Sequence, residues 1–169
     1  MRSSRWALGA EVQAAISFPG TSPALALGLV GRLLGRLFFA QLGISYWIPH
    51  SAAGEGWTLD LQPLSGYLGG GLRWRRRAWE VSGDLGGALR LVWERREGVR
   101  VVELSTLRVA GGFGAHVRGI RHLGARASLE ATLGLTTTFP FPRYTLHGVE
   151  VFELGGTTAG FSLGVFFGL

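Results

Sequence analysis

The stretch Gly160–Leu169, GFSLGVFFGL, decides how the chain is read. Phe161, Leu163, Val165, Phe167 and Leu169 fall on one parity. Gly160, Ser162, Gly164, Phe166 and Gly168 fall on the other. A period of two marks a strand with one bulky apolar face and one slim face. Free termini are usually polar and frayed, so a stretch this apolar needs a place to go.

The same alternation recurs seven times upstream. In RWALGAEVQAAISF (5–18), Trp6, Leu8, Val12 and Ile16 oppose Ala7, Gly9, Glu11 and Gln13. Leu25, Leu27 and Leu29 oppose Ala24, Ala26 and Arg32. Phe38, Leu42, Ile44 and Tyr46 form a third apolar face. In the fourth run Trp57, Leu59 and Leu61 lead, and the parity switches after Pro63 to Leu64, Leu68, Leu72 and Trp74. Proline cannot donate to a ladder, so a bulge is expected there. The eight runs are expected at roughly 5–17, 24–34, 36–48, 57–74, 78–94, 103–118, 124–138 and 157–169. Longer connections follow the odd runs and tight turns follow the even ones. This pattern predicts an all-β fold, an eight-stranded antiparallel up-and-down barrel in a single domain over 1–169.

Composition separates a membrane barrel from a soluble one. The chain is 47% hydrophobic and 17% charged, against about 25% charged for a typical soluble domain. A soluble barrel packs its large apolar residues inside and needs charge outside. Here the slim parity is mostly Gly, Ala, Ser and Thr, which suits a narrow interior, while the bulky parity is almost free of charge, as lipid exposure requires. Ala24–Ile44 is long enough for a transmembrane helix. Arg32 and Arg36 near its centre, at about 2.5–3.5 kcal/mol each, and the alternating leucines argue against one. The tryptophans are expected to mark two aromatic girdles, with Trp6, Trp74 and Trp79 at the tight-turn rim and Tyr46, Trp47, Trp57 and Trp93 at the loop rim.

On these features the chain resembles the small eight-stranded outer-membrane barrels of the OmpA, OmpX and OmpW type. The resemblance spans Trp6 to Leu169 and is one of architecture, without a family motif. It implies a lipid bilayer as surroundings, a bacterial outer-membrane location, and handling by the barrel-assembly machinery through the C-terminal strand. Those barrels usually end in an aromatic residue, whereas this sequence has Leu169 there and Phe167 two before it. No secretory signal is visible in MRSSRWALGA.

Nine charges are expected to point inward: Glu11, Arg32, Arg73, Glu80, Asp84, Arg90, Arg108, Arg126 and Glu130. Buried charges must be paired. The hairpin at RRRA would set Arg73 directly opposite Glu80, and the first hairpin would place Arg32 diagonal to Glu11. A salt-bridged plug is the expected interior, with a narrow pore as the alternative. Inward glycines at 69, 71, 86, 112 and 114 would leave room for Arg90 and Arg108, or bend the strands.

No catalytic constellation, metal cluster or phosphate loop stands out, and no cofactor is expected. Of His50, His116, His122 and His147 only His116 lies inward on a run, and none has an activated nucleophile beside it in the sequence pattern. A lipid-modifying barrel enzyme and a soluble lipocalin-like carrier remain alternatives. The net charge of +6 rests on 17 arginines and no lysine. Arg75, Arg76 and Arg77 share one turn, where lipid phosphates are the natural partner. Nucleic acid is not expected, since the aromatics would sit in lipid. The role left is structural, or an interaction surface built from the longer loops, above all 140–156.

Overall fold

The computed structural model describes residues 5–18, 23–54, 57–98, 101–139, 143–146, 149–153 and 156–168. The described chain is all-β, with eleven strands. They are β1 (Arg5–Phe18), β2 (Pro23–Leu34), β3 (Phe38–Trp47), β4 (His50–Gly54), β5 (Trp57–Arg76), β6 (Trp79–Gly98), β7 (Val101–His122), β8 (Ala127–Phe139), β9 (Arg143–Leu146), β10 (Val149–Glu153) and β11 (Gly156–Gly168). Eight of them form the barrel wall in the order β3-β2-β1-β11-β8-β7-β6-β5, and β3 pairs with β5 to close it. The Ala24–Ile44 segment is therefore two strands, and GFSLGVFFG is the strand that returns to β1, with Phe161 opposite Ala14 and Phe167 opposite Leu8. Leu169 lies outside the described residues.

The bulky parity faces outward. Leu27, Leu29 and Leu85 are 66%, 70% and 71% exposed, and Phe38, Leu68, Phe113, Leu133 and Phe167 share that outer face. Ala7, Ala15, Ala26, Ser45 and Ser162 are buried on the inner one. A wall of this kind, with its backbone paired all the way round, meets the two requirements of hydrocarbon.

The ladders give the stagger of the barrel. From Glu11 the register runs through Gly28, Ser45 and Ser65 to Arg90. In the other direction it runs through Gly164, Glu130 and Ile120 to Glu80. Both paths end on β6, ten residues apart. With about 3.3 Å per residue and about 4.8 Å between strands, that stagger tilts the strands by about 41° and sets a backbone radius of about 8 Å. Long side chains from opposite walls can therefore meet at the axis.

Three expectations about the runs change. β5 itself does not bulge at Pro63, because the β5–β6 register is unbroken from Trp57 opposite Gly98 to Arg76 opposite Trp79; the extra residue lies on the facing β3–β4 edge, where Tyr46 is opposite Leu64 but His50 is opposite Leu61. On its other edge β5 pairs with β3 up to Leu64 and with β4 from Leu61, so Pro63 falls in the gap where no ladder donor is required. Leu59 and Leu61 consequently keep the inner parity and pack with Val92, with Trp57 against them. The interval expected between the fifth and sixth runs, 95–102, is strand at 95–98 and 101–102, and β7 continues past 118 to His122. β5, β6 and β7, of 20, 20 and 22 residues, outrun the roughly 9–11 residues a span needs. They project past their neighbours on the loop side, since they start and end level with the other strands at the tight turns. The 140–156 connection contains the β9–β10 pair.

The inward glycines admit an aromatic ring and close backbone contacts. A Cβ on Gly86 would lie 2.5 Å from Gly69 Cα and 2.8 Å from Tyr67 Cζ. Gly69 and Gly114 flank the same tyrosine ring. The space expected to serve Arg90 and Arg108 is thus taken by Tyr67. At the RRRA hairpin Arg77 has φ 57°, the left-handed region used by two-residue turns.

The wall gives a depth-dependent test. Leu29, opposite Ala10 and Ile44 at mid-wall, should tolerate Leu29→Arg poorly, with a loss of about 2–4 kcal/mol. Leu107→Arg, near the loop end of β7, should cost about 0–1 kcal/mol. Urea unfolding of barrels refolded into phosphatidylcholine vesicles measures both, and equal costs would contradict the outward assignment of this face.

Candidate functional site

The lumen holds the chemistry. Its centre on the tight-turn side is a four-charge layer. Arg32 on β2 makes two parallel bonds to Glu130 on β8, Nη1 to Oε2 and Nη2 to Oε1, the second at 2.6 Å. Arg118 on β7 donates to Asp84 Oδ2 and stands 3.2 Å from Glu130 Oε1 through Nε. The Nε contact lacks hydrogen-bond geometry, leaving that N–H without a bonding partner. Gln41 ties the layer together, accepting from Arg32 Nε at 3.1 Å and donating to Asp84 Oδ1 at 3.4 Å. Thr132 donates to Glu130 at 3.1 Å, and Tyr67 OH donates to Asp84. His116 Nδ1 lies 3.1 Å from Asp84 Oδ1, its ring edge-on to Tyr67 at 4.6 Å. All four charged residues are buried. Two cations and two carboxylates make the layer neutral, as a low-dielectric interior requires.

Further layers flank it. Toward the tight turns, Glu80 accepts from Arg73 Nη2 and lies 3.2 Å from His122 Nε2. Phe166, inward and buried, lies under the Arg32 guanidinium at 4.2 Å and occupies the space a side chain at Gly9 would need. Toward the loops, Glu11 accepts from Gln13 Nε2 and from Ser162 Oγ at 3.0 Å. Higher still, Arg108 Nε donates to Glu94 at 2.8 Å.

The positions differ from expectation in several respects. Arg73 is directly opposite Ser82, not Glu80, and reaches Glu80 diagonally. Arg32 is opposite Ala7, four residues along from Gly28, which faces Glu11, so it is not diagonal to Glu11 and turns instead to Glu130. Arg126 sits exposed in the turn before β8 and does not face the lumen. Arg118 and Glu94 join the inner set. Arg118 continues the inner parity of Arg108, Ala110, Gly112, Gly114 and His116 and closes the expected run 103–118, so its inward direction is readable from that parity.

Comparison with known structures places the barrel. It aligns with a major outer membrane protein of Thermus thermophilus at TM-score 0.71 and 12% identity, covering 99% of this chain and 100% of the other. Ail, the attachment invasion locus protein of Yersinia pestis, aligns at TM-score 0.59 and 10% identity over 98% and 97%. Neisserial surface protein A aligns at 0.54 and 12% over 97% and 96%. The fold is that of the small outer-membrane β-barrels. Neither a protein-family model nor a curated protein sequence matches the chain.

On such a barrel the rims are where aromatic residues matter. Trp6, Trp74 and Trp79 are exposed on the outer face near the tight turns, and Tyr46 and Trp93 are exposed toward the loops. Trp47 is not with them. It is 7% exposed, faces inward and donates Nε1–H to Ser65 Oγ at 2.8 Å. Tyr46 and Trp47 are consecutive on β3, so only one of them can face out. Trp57 also faces inward, because β5 keeps its parity past Pro63. The exposed Arg75, Arg76 and Arg77 stand at the tight-turn rim. His50 Nδ1 meets Ile48 O at 2.9 Å at the loop side, and His147 lies outside the described residues.

Removing one partner of the central layer should be far costlier than removing a pair. Glu130→Leu strands Arg32 and should destabilise the barrel by about 3–5 kcal/mol. The double variant Arg32→Met/Glu130→Leu should recover most of that loss. Urea unfolding in vesicles reads the cycle, and additive costs would show that the two side chains do not act as a pair.

Proposed function

We propose that this chain is an outer-membrane barrel that does not conduct, and that its loop-side extension is its working surface. The neutral layer of Arg32, Glu130, Arg118 and Asp84 carries the reading. Its side chains come from β2, β8, β7 and β6 and meet near the axis of a barrel about 8 Å in backbone radius. A permeating ion would have to break these bonds and part both cations from their carboxylates. With the lumen closed, the projecting parts of β5, β6 and β7 and the connection over 140–156 supply the surface offered beyond the bilayer. Ail, of the same fold, is an attachment invasion locus protein and is known in complex with the heparin analogue sucrose octasulfate. A structural or surface-interaction role here fits that architecture. Trp6, Trp74 and Trp79 with Tyr46 and Trp93 would mark the two interfaces. Arg75, Arg76 and Arg77 would lie against lipid phosphates, and β11 would present itself to the assembly machinery.

In planar bilayers the purified barrel should give no steady conductance steps, whereas the quadruple variant of Arg32, Asp84, Arg118 and Glu130 to alanine should. Steady steps from the unaltered protein would favour the narrow pore. For the surface role, a non-adherent Gram-negative host displaying the protein should gain attachment to epithelial cells or matrix. Replacing the loop-side ends of β5, β6 and β7 with a short turn should remove that gain while the heat-modifiable gel shift of the folded barrel remains.

A further inference from the structure

Above the four-charge layer the lumen contains a cavity of about 140 Å³. Arg90 faces it. This side chain is 7% exposed, and its Nε has neither a hydrogen-bond partner nor solvent contact. Among the described residues no carboxylate meets Arg90. Its guanidinium instead lies over the Trp47 ring, 5.3 Å from the centroid. Arg32, Arg73, Arg108 and Arg118 each have a carboxylate in contact. Glu11 lines the same cavity from the facing wall, four strands away along the ladder row and about 12 Å lower at this tilt. Glu11 is occupied by Gln13 and Ser162.

The wall around Arg90 is rich in hydroxyl donors. Ser65 is directly opposite Arg90, and its Oγ already accepts the Trp47 N–H, so its own hydrogen is left to donate. Ser45, opposite Ser65, accepts from Gln13 Nε2 at 2.8 Å and is in the same state. Thr136 and Thr138 line the same space. A buried, unpaired guanidinium is costly in a low-dielectric interior. A planar fork of N–H donors beside hydroxyl donors matches a small oxyanion.

We propose that this chamber is a binding site for a small oxyanion, a phosphate, sulfate or carboxylate group, held by Arg90 with Ser65 and Ser45. The anion sits on the loop side of the closed layer, so the site does not depend on conduction and stands whether or not the surface role above holds. The volume admits an ion of this size.

The test uses the full chain refolded in nanodiscs of uncharged lipid, with ¹⁵N-labelled tryptophan. Sodium phosphate, sodium sulfate and sodium acetate are titrated separately at constant ionic strength set with sodium chloride. The Trp47 indole N–H resonance, assigned with Trp47→Phe, should shift saturably with at least one oxyanion. Arg90→Gln should weaken the effect at least tenfold and Ser65→Ala several-fold. Both variants must retain the heat-modifiable fold, and Arg90→Lys, which keeps the charge but loses the fork, should bind with intermediate strength. No saturable shift with any of the three anions overturns the proposal. So does a shift that survives Arg90→Gln, or one that chloride alone reproduces. If Arg90→Gln does not fold, weakened saturable binding in Ser65→Ala and Arg90→Lys decides it, and undiminished binding in both refutes the site.

Discussion

Closure is the constraint on which everything else depends. A backbone N–H or C=O left unpaired in hydrocarbon costs several kcal/mol, so a sheet exposed there cannot have an edge. The pairing of β1 with β11, the first strand with the last, removes both edges that an eight-stranded meander would otherwise carry. The apolar stretch at 160–168 follows from this. Its outer face must match the wall on either side, and its inner face must fit beside Glu11 and Glu130, which is why Gly164 lies directly between them in register.

Closure with a stagger of ten then fixes the interior. A backbone radius of about 8 Å leaves room for a few long side chains at each level and small ones beside them. The inner face obeys this arithmetic. Where Phe166 or Tyr67 fills the lumen, Gly9 or Gly69, Gly86 and Gly114 make way. Where arginines cross it, alanine, serine and threonine stand next to them. At the loop side β5 to β7 extend past the other strands, and Leu59, Leu61 and Val92 pack together on the inner face beside the buried Glu94.

Parity was legible in the sequence because it is a local property. It identified the strands, the outward face, and the inward direction of Glu11, Arg32, Asp84, Arg90 and Glu130. What escaped was whatever depends on the ladder. Arg32 and Glu130 are 98 residues apart, and their meeting is set by three successive registers, β2 to β1 to β11 to β8. No periodicity encodes that. Trp47 and Trp57 were misplaced for a different reason: a tryptophan near a strand end suggests an interface by its level, but its neighbours' parity decides which side it faces. Arg118 stands at the last position of the expected run 103–118, where the basic, glycine-containing stretch that follows reads as a turn although the strand continues through it to His122.

The buried charges also bear on register itself. Replacing an ion pair with apolar residues of equal volume often leaves stability unchanged or raised, so stability alone does not explain why this lumen is charged. A one-residue slip of a strand moves its whole inner face outward. If the inner face held only Gly, Ala and Leu, such a slip would place tolerable residues in lipid and be penalised weakly. With Arg32 on β2 or Arg118 on β7, the same slip carries an arginine into hydrocarbon at about 2–4 kcal/mol and strands its carboxylate partners inside. The two penalties act on the same slip and add. The charged layer thus makes the inner and outer faces of the wall chemically distinct, and on that distinction rests the selection of one register from those that backbone hydrogen bonding alone would accept.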